Sequence, residues 1–496
     1  MLAQLLSSTL CGIESHLVRV EVDVGNGLPK YRIVGLPDAS VAESEARVQA
    51  ALKHCGLAAG RRRITVNLAP GDLRKEGPRF DLPIALGILV ATGQLSPAAV
   101  ASLMVLGELA LDGCCRPVSG VLSATLEARA AGCSGILVPA ANLGEAGLVT
   151  GIAAYGAHNL RHAVRLLLGQ DTNPTVTAVE HRPPAGPDLL EVRGQRRGKR
   201  ALEIAASGGH HLMMVGPPGC GKSLLARCLP SLLPPLTSDE SLEITQIESV
   251  CSGVPLEAPI RDRPFRAPSA GASVVGILGG RMPGEVTRAH LGVLFLDEFP
   301  EFARNVTESL RGPLDTGYVE IVRARFRNRY PARFTLTAAM NPCPCGYFGD
   351  PLRECICTET ARLKYLGRFS GPLRDRTDLH VSVQRPDTRD LLEPTELESC
   401  DTVRGRVLRA RAFQLERGHL NRDLQAAELW RCFSADREGR RFLSRLIEHL
   451  GLSVRAQARL ARVARTIADL RGADKVELSD LAEALEFRFL DRPQAA

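Results

Sequence analysis

Residues 216–223 read Gly-Pro-Pro-Gly-Cys-Gly-Lys-Ser and match the pattern G-x-x-x-x-G-K-S/T at every fixed position. The apolar run Leu212–Val215 precedes this stretch and the apolar-rich segment Leu224–Leu229 follows it, which predicts the order strand, glycine-rich turn, helix. Such a turn surrounds the β- and γ-phosphates of a nucleotide with backbone N–H groups, Lys222 reaches the phosphate charge, and the Ser223 hydroxyl holds Mg²⁺. The alternative is a glycine-rich turn that binds no nucleotide. The predicted nucleotide-binding residues are Gly216, Pro217, Pro218, Gly219, Cys220, Gly221, Lys222 and Ser223.

A second apolar run, at residues 293–296, ends in the carboxylate pair Asp297 and Glu298. Four consecutive apolar residues before two acids are typical of a buried parallel strand that ends in a Walker B element. Asp297 is predicted to accept hydrogen bonds from the waters or the serine on Mg²⁺, and Glu298 to orient and polarise the attacking water. The alternative is a strand that ends in a surface acidic pair.

A third strand is predicted at residues 334–340, and Asn341 follows it directly. This order puts a polar side chain where the γ-phosphate and the attacking water should lie. Asn341 is therefore predicted to contact the γ-phosphate, in a position that resembles sensor 1 of AAA+ ATPases.

Three arginines are candidates for the cation that phosphoryl transfer needs at the γ-phosphate. We select Arg376, in the segment 370–376, as the arginine finger presented to a neighbouring subunit, ahead of Arg374 and Arg311. Arg455, at the start of a helix that follows Ser453, is predicted to be the sensor-2 arginine. The alternative for each is a solvated helix face.

Composition limits the class of protein. With 496 residues, 45% hydrophobic and 24% charged, the chain is typical of a globular protein of about three domains. The sequence shows no apolar run long enough to cross a membrane and no convincing signal peptide, so we expect a cytoplasmic protein without a membrane partner. The formal charge of +7 is compatible with nucleic acid but does not by itself indicate it.

Fourteen cysteines in a chain without a predicted export signal favour reduced thiols or a metal site over a disulfide framework. Two Cys-x-Cys pairs, Cys343 with Cys345 and Cys355 with Cys357, lie close together in sequence. Four thiolates on two short arms can form a tetrahedral Zn²⁺ site, which would stiffen the loop after Asn341. Reduced structural thiols and a redox disulfide pair are the alternatives.

The order of periodic segments predicts an α/β chain. Residues 1–170 show mixed α/β periodicity, including a strand at 16–24 that is predicted to form a hairpin with the strand at 31–34 through the turn Gly25–Gly27. A proline-containing linker is predicted at 171–187 and the P-loop domain at 188–390. Residues 391–496 show helical spacing, with helices predicted at 455–471 and 479–489 and Ser479 as an N-cap.

Eight segments together form a specific combination: 34–38, 64–70, 75–83, 216–223, 263–268, 294–298, 341–346 and 464–470. On these segments the chain resembles, over nearly its full length, the ComM/YifB family of bacterial magnesium-chelatase-like AAA+ ATPases. The resemblance implies a Lon-protease-like, S5-fold α+β domain at 1–170, an AAA+ core at 188–390 and a helical lid at 391–496. It also implies ATP and Mg²⁺ as cofactors and a homohexameric ring. The activity it implies is a branch-migration helicase on single-stranded or branched DNA, in recombination during natural transformation.

The sequence departs from the family pattern at several positions. Ser269 and Ala270 stand where the family has two histidines, and Arg374 stands where an apolar residue is usual. Alignment with Lon-type peptidases puts Arg79 at the nucleophilic serine and Ala124 at the lysine base, so no peptidase activity is expected. A protein-remodelling or chelatase-type ATPase subunit without protease activity remains the alternative function.

Two basic segments, 261–281 and 318–330, are predicted to face the pore of the ring. In the second segment, arginines alternate with apolar or aromatic residues, which would put cations on one face of a hairpin that follows a phosphate track. Arg266, Arg281 and Arg327 are predicted to bind DNA. An exposed basic hairpin or an intersubunit ion-pair face is the alternative, because Arg323 and Arg325 could reach a neighbour's nucleotide.

Overall fold

The structure is a computed structural model that describes residues 2–58, 60, 62–174, 186–323, 326–386, 398–450 and 453–491. Of residues 426, 446–450 and 491 only the backbone is described. Most of the predicted linker at 171–187, the predicted start of the helical region at 391 and Arg325 lie outside the described residues. The division of the chain at residues 170, 187 and 390 therefore stays a prediction.

The amino-terminal region is built on a sheet of seven strands in the order β3-β4-β2-β1-β5-β8-β9. Its strands, together with the small pair β6 and β7, are β1 (Leu2–Cys11), β2 (Glu14–Gly25), β3 (Lys30–Val34), β4 (Arg63–Ala69), β5 (Leu103–Val105), β6 (Glu108–Leu109), β7 (Cys115–Arg116), β8 (Gly135–Pro139) and β9 (Ala153–Ala157). Its helices are α1 (Ala39–Ala42), α2 (Ser44–His54), α3 (Asp81–Ala91), α4 (Val121–Ala130), α5 (Leu143–Ala146) and α6 (Leu160–Leu167). Every residue of α3 is buried, which explains why its sequence after Asp81 is apolar on all faces.

The hairpin predicted between β2 and β3 is wrong. Strand β4 lies between them, antiparallel to β2 and parallel to β3. The partner of β2 on its other edge is β1, a strand that the sequence analysis missed, and the two pair along their whole length from Leu2↔Asp23 to Cys11↔Glu14. The Gly25–Gly27 turn therefore redirects the chain without pairing its two flanks.

The P-loop sheet has five parallel strands in the order β11-β12-β15-β10-β16. The strands of this region are β10 (Leu212–Val215), β11 (Phe265–Arg266), β12 (Val293–Leu296), β13 (Tyr318–Arg323), β14 (Phe326–Pro331), β15 (Thr335–Met340) and β16 (Leu379–Ser382). Its helices are α7 (Arg196–Gly208), α8 (Lys222–Leu232), α9 (Ser238–Cys251), α10 (Val274–Leu278), α11 (Glu285–Arg288), α12 (Arg304–Ser309), α13 (Arg311–Thr316), α14 (Glu359–Leu366) and α15 (Gly371–Arg374). The central strands β10, β12 and β15 are buried throughout, as helices on both faces require.

The carboxy-terminal region is helical: α16 (Cys400–Glu416), α17 (Ala426–Phe433), α18 (Arg437–Leu450), α19 (Val454–Arg471) and α20 (Leu478–Glu486). Ser453 caps α19 by accepting a hydrogen bond from Ala456 N–H, a cap that the sequence analysis did not predict although a hydroxyl suits this position. The cap predicted at Ser479 is wrong, because Glu477 caps α20 in a reciprocal box with Asp480 and Ser479 lies inside the first turn. The expected fold class, mixed α/β with a parallel sheet and a helical carboxy terminus, is confirmed.

The amino-terminal region packs on α9 of the P-loop region. Gly120 N–H donates to Ser249 O at 3.0 Å, and Gln246 Nε2 donates to Ile13 O at 3.1 Å. Ser249 Oγ also hydrogen-bonds the buried Glu145 carboxylate. Within the described ranges, no helix combines the length and the apolar composition that a transmembrane segment needs.

Candidate nucleotide-binding site

The glycine-rich turn connects β10 to α8 at the carboxyl edge of the parallel sheet. Gly219 has φ +74° and Gly221 has φ +93°, a region that side-chain-bearing residues rarely adopt. At Gly216 a Cβ would lie 2.0 Å from Val383 O. The turn therefore depends on its glycines, and it directs the N-terminus of α8, with its free N–H groups, toward the same edge.

Lys222 is buried, with 8% of its surface exposed, inside the hollow of this turn. Its Nζ donates to Gly216 O at 2.7 Å, to Pro217 O at 2.8 Å and to Asn341 Oδ1 at 3.3 Å. Burial lowers the pKa of the Lys222 ammonium, and the neighbouring Cys220 and Asp297 oppose that shift. The lysine thus lies between the P-loop and the end of β15.

Strand register brings the predicted acidic residues to this edge. Val215 pairs with Met340 in β15, and Leu296 pairs with Ala338, so the residues after β10, β12 and β15 are neighbours. Ser223 Oγ donates to Asp297 Oδ2 at 2.7 Å. A hydroxyl and a carboxylate at this distance are the oxygen ligands that Mg²⁺ takes in nucleotide sites, so the donor set fits the metal.

Glu298 is exposed and adopts φ +49° and ψ +45°, in the left-handed region. Its N–H donates to Asp297 Oδ1 at 2.9 Å, and the buried Phe299 and Pro300 follow it. A non-glycine residue in this region is strained by roughly 1–2 kcal/mol. The packing of its neighbours holds a solvent-accessible carboxylate beside Asp297.

Gln195 is a residue that sequence reasoning missed. It lies before α7 with φ +54°, and its Nε2 donates to Cys220 O at 2.8 Å and to Gln384 O at 2.5 Å. These bonds tie the P-loop to the chain that follows β16. No local motif marks this glutamine, because both partners are distant in sequence.

The structure brings Arg376 and Arg455 together, at a distance from the P-loop. Both line a cavity of about 710 Å³ that is also bordered by His211, Phe334 and Asp378, which precede β10, β15 and β16. The cavity therefore lies at the amino edge of the sheet. His211 and Gly216 stand five positions apart, which spans roughly 16 Å of extended chain.

The cavity is rich in arginine. Besides Arg376 and Arg455 it is lined by Arg333, Arg422, Arg459 and Arg462, so six arginines face four aspartates. Arg376 Nε donates to Asp315 Oδ1 at 2.7 Å, and this hydrogen bond raises the pKa of the guanidinium. The two less favoured finger candidates lie outside this lining: Arg311 pairs with Glu308 at 3.1 Å and Arg374 Nη1 donates to Leu490 O at 3.5 Å.

The four clustered cysteines converge. Cys343 Sγ lies 3.3 Å from Cys345 Sγ and 3.6 Å from Cys355 Sγ, and Cys345 Sγ lies 3.6 Å from Cys355 Sγ. Cys345 N–H donates to Cys357 Sγ at 3.4 Å. All four sulfurs lie within 4.8 Å of one another.

The second basic segment forms the predicted hairpin from β13 and β14. Arg327 and Arg329 lie on its exposed face, and Arg329 stacks on the Tyr318 ring with its Cζ 3.8 Å from the centroid. Arg327 Nε also donates to Glu320 Oε1 at 2.7 Å. The hairpin thus presents a mixed basic and aromatic face.

Two arginines of the first basic segment, residues 261–281, form ion pairs with glutamates of the same chain. Arg266 forms two hydrogen bonds with Glu285, at 2.7 and 2.8 Å, and Arg281 pairs with Glu76 of the amino-terminal region. The partner carboxylates could not be seen in the sequence because they are not adjacent to these arginines. Replacing Arg266 would therefore disturb a half-buried ion pair as well as any DNA contact.

Arg79 and Ala124, which align with the serine and the lysine of Lon-type peptidases, are both buried. Arg79 Nη2 donates to Ser119 O at 2.8 Å, and burial lowers the pKa of this guanidinium to about 10. Ala124 lies inside α4. Neither side chain offers a nucleophile or a proton acceptor.

Comparison with known proteins agrees with these observations. Three family models match the chain: "Magnesium chelatase, subunit ChlI" at residues 188–391, "Subunit ChlI of Mg-chelatase" at 20–142 and "Magnesium chelatase, subunit ChlI C-terminal" at 397–488. The uncharacterized protein YifB of Salmonella typhimurium is 40% identical over 97% of this chain and 96% of its own length. The competence protein ComM of Haemophilus influenzae is 40% identical over 99% of this chain and 98% of its own. The chain therefore belongs to the ComM/YifB family of magnesium-chelatase-like AAA+ proteins.

Proposed function

We propose that the protein hydrolyses ATP at the P-loop, assembles as a homohexameric ring and uses the energy to move on DNA. Membership in a magnesium-chelatase-like AAA+ family supports the ATPase. The observation that carries the proposal is the convergence of Lys222, Ser223, Asp297 and Asn341 at one edge of the sheet. This arrangement contains the phosphate-binding and Mg²⁺-binding groups that phosphoryl transfer requires.

In the proposed mechanism the backbone N–H groups of the P-loop and the Lys222 ammonium bind the phosphates. Ser223 and Asp297 would hold Mg²⁺, which when bound neutralises charge on the β- and γ-phosphate oxygens. Glu298 orients the attacking water and accepts its proton. Asn341, hydrogen-bonded to Lys222, positions the γ-phosphate for that attack.

We further propose that Arg376 and Arg455 act on the nucleotide of a neighbouring copy. Support comes from the position of their cavity at the amino edge of the sheet, opposite the P-loop of the same chain. A neighbour in a ring would present its own P-loop edge to this cavity, and the excess of arginine suits a phosphate. An arginine supplied in trans couples hydrolysis to assembly.

The proposed substrate is DNA, single-stranded or branched, and the proposed activity is branch migration in recombination during natural transformation. Two observations support this: a relative of full-length similarity carries the name competence protein ComM, and the β13–β14 hairpin exposes Arg327 and Arg329, the second stacked on the half-buried Tyr318 ring. Cations with an aromatic neighbour suit a phosphate backbone and stacked bases.

The test is steady-state ATP hydrolysis with no DNA, with single-stranded DNA and with a four-way junction. DNA is expected to raise the rate, and Glu298→Gln is expected to bind ATP but not turn it over. Glu301→Gln is the matched control, because Glu301 is an exposed carboxylate at the end of the short 3-10 helix Phe299–Glu301 that directly follows Glu298. A rate unaffected by every DNA, together with no salt-sensitive DNA binding in ATP, would favour the protein-remodelling alternative.

A further inference from the structure

We propose that Cys343, Cys345, Cys355 and Cys357 bind one Zn²⁺ ion and that this site holds the segment 342–358 against the P-loop. A tetrahedral ion with Zn–S bonds of about 2.3 Å separates its sulfurs by about 3.8 Å. The three closest sulfur pairs are 3.3, 3.6 and 3.6 Å apart, and the whole set lies within 4.8 Å. The four sulfurs could therefore coordinate one Zn²⁺ ion after only small side-chain shifts.

A backbone hydrogen bond to one of the sulfurs also suits a thiolate. Cys345 N–H donates to Cys357 Sγ at 3.4 Å. Such an N–H donor offsets part of the negative charge that four thiolates retain around a divalent cation.

The segment has no apolar core that could hold its shape. Its large apolar residues face solvent: Ile356 is 88% exposed, Leu352 75% and Phe348 48%. Cys343, in contrast, is fully buried. A short segment without an apolar core needs a cross-link to hold its conformation, and a structural metal ion provides one.

The distances argue against the two alternatives. A disulfide would single out one pair and leave two thiols without a role, whereas three sulfurs here are nearly equidistant. Four neutral thiols would be weak mutual hydrogen-bond partners. An all-sulfur tetrahedral set without histidine or carboxylate selects zinc or iron, and a single-ion site of two short arms fits zinc.

The segment touches the nucleotide site directly. Gly346 lies so close to the P-loop that a Cβ there would be 2.9 Å from Pro218 Cδ and 3.8 Å from Asn341 Cγ. A metal that fixes Gly346 therefore also supports the P-loop turn and Asn341. This supporting role rests on the proposed ATPase, whereas the metal site does not depend on it.

The test is the metal content of full-length protein purified without chelator, measured by mass spectrometry. We expect about one zinc per chain, released by a mercurial reagent as thiols are titrated. The double variant Cys345→Ser, Cys357→Ser should lose the zinc, and the matched control Cys133→Ser, a cysteine outside the cluster, should keep it. Cobalt exchanged into the wild-type site should show the absorption of tetrahedral thiolate ligation.

Wild-type protein that contains no zinc and takes up neither zinc nor cobalt would overturn the proposal, as would stoichiometric iron in place of zinc. Because the wild-type metal content is decisive, the result stands even if the double variant fails to fold. Zinc without ATP hydrolysis would contradict the proposed function alone. ATP hydrolysis without zinc would contradict the metal site alone.

Discussion

Lys222 Nζ lies 3.3 Å from Asn341 Oδ1, so the P-loop lysine and the residue that ends β15 share one polar cluster. The two side chains serve different steps in the proposed mechanism. Lys222→Ala removes the cation at the phosphates, and ATP binding should fall below detection. Asn341→Ala should keep the ATP affinity within a few-fold of the wild-type value and slow ATP hydrolysis by about 10²-fold. Binding of a fluorescent nucleotide, measured beside turnover, separates the two, and equal loss of binding in both variants would contradict these roles.

Subunit mixing tests whether the arginine cavity acts between copies. Arg376→Ala should lower hydrolysis by about 10²–10³-fold, and Lys222→Ala should be inactive alone. A mixture of the two variants should regain activity, because Lys222→Ala subunits donate Arg376 to the intact P-loops of Arg376→Ala subunits. Arg311→Ala, outside the cavity lining, should stay close to wild type. Mixtures no more active than the separate variants would exclude action in trans.

The β13–β14 hairpin provides a test of DNA binding. Arg327→Ala and Arg329→Ala should each weaken binding to all DNA sequences alike and reduce the slope of log affinity against log salt by about one. Nucleotide binding should stay unchanged. Arg129→Ala, an exposed arginine of α4, is the control. An unchanged salt dependence in both hairpin variants would remove the hairpin from the DNA interface.

Two glycines of the cysteine segment form a matched pair. Gly346 and Gly349 have φ of +86° and +78°, but only Gly346 has Pro218 within contact distance of a Cβ. Gly346→Ala should lower ATP affinity several-fold because it displaces the P-loop. Gly349→Ala should leave ATP affinity unchanged, because its only cost is the strain of a left-handed alanine, about 1 kcal/mol of folding free energy. Zinc content and isothermal ATP titration of both variants test this. Equal ATP affinities would show that the segment does not support the site.

Acid should destabilise the sheet through His211. Burial lowers the pKa of this imidazole to about 3, with Arg422 adding to the effect, and its Nδ1 accepts a hydrogen bond from Leu336 N–H at 3.0 Å. Because the folded pKa lies below the unfolded value of about 6.5, this stability is present above pH 6.5 and is lost as the pH falls toward 3. Between pH 6.5 and 5 the loss is about 1.6 kcal/mol.

His211→Asn keeps an acceptor but cannot titrate. Its thermal midpoint should therefore fall less between pH 6.5 and 5 than that of the wild type. His54→Asn, at an exposed histidine, should behave like wild type. Identical pH profiles for His211→Asn and the wild type would contradict the assignment. The buried His380, whose pKa is also lowered by burial, should leave part of the pH dependence in every variant.

The amino-acid sequence by itself determined the local features. The strand, turn and helix around residues 216–223 and the buried strand before Asp297 follow from residue order alone. Each depends on neighbours within a few positions: glycines that permit positive φ, and apolar runs that fill a parallel sheet. The two Cys-x-Cys motifs, at 343 and 345 and at 355 and 357, are local features of the same kind.

Only the tertiary structure decided which distant segments meet. The sequence suggested that β2 pairs with β3, but β4 lies between them, with one edge antiparallel to β2 and the other parallel to β3. The sequence likewise gave no sign that Arg266 would be held by Glu285, or that Arg376 and Arg455 would share a cavity at the edge opposite the P-loop. Such contacts depend on strand order, register and packing across large sequence separations, and residue spacing along the chain does not encode them.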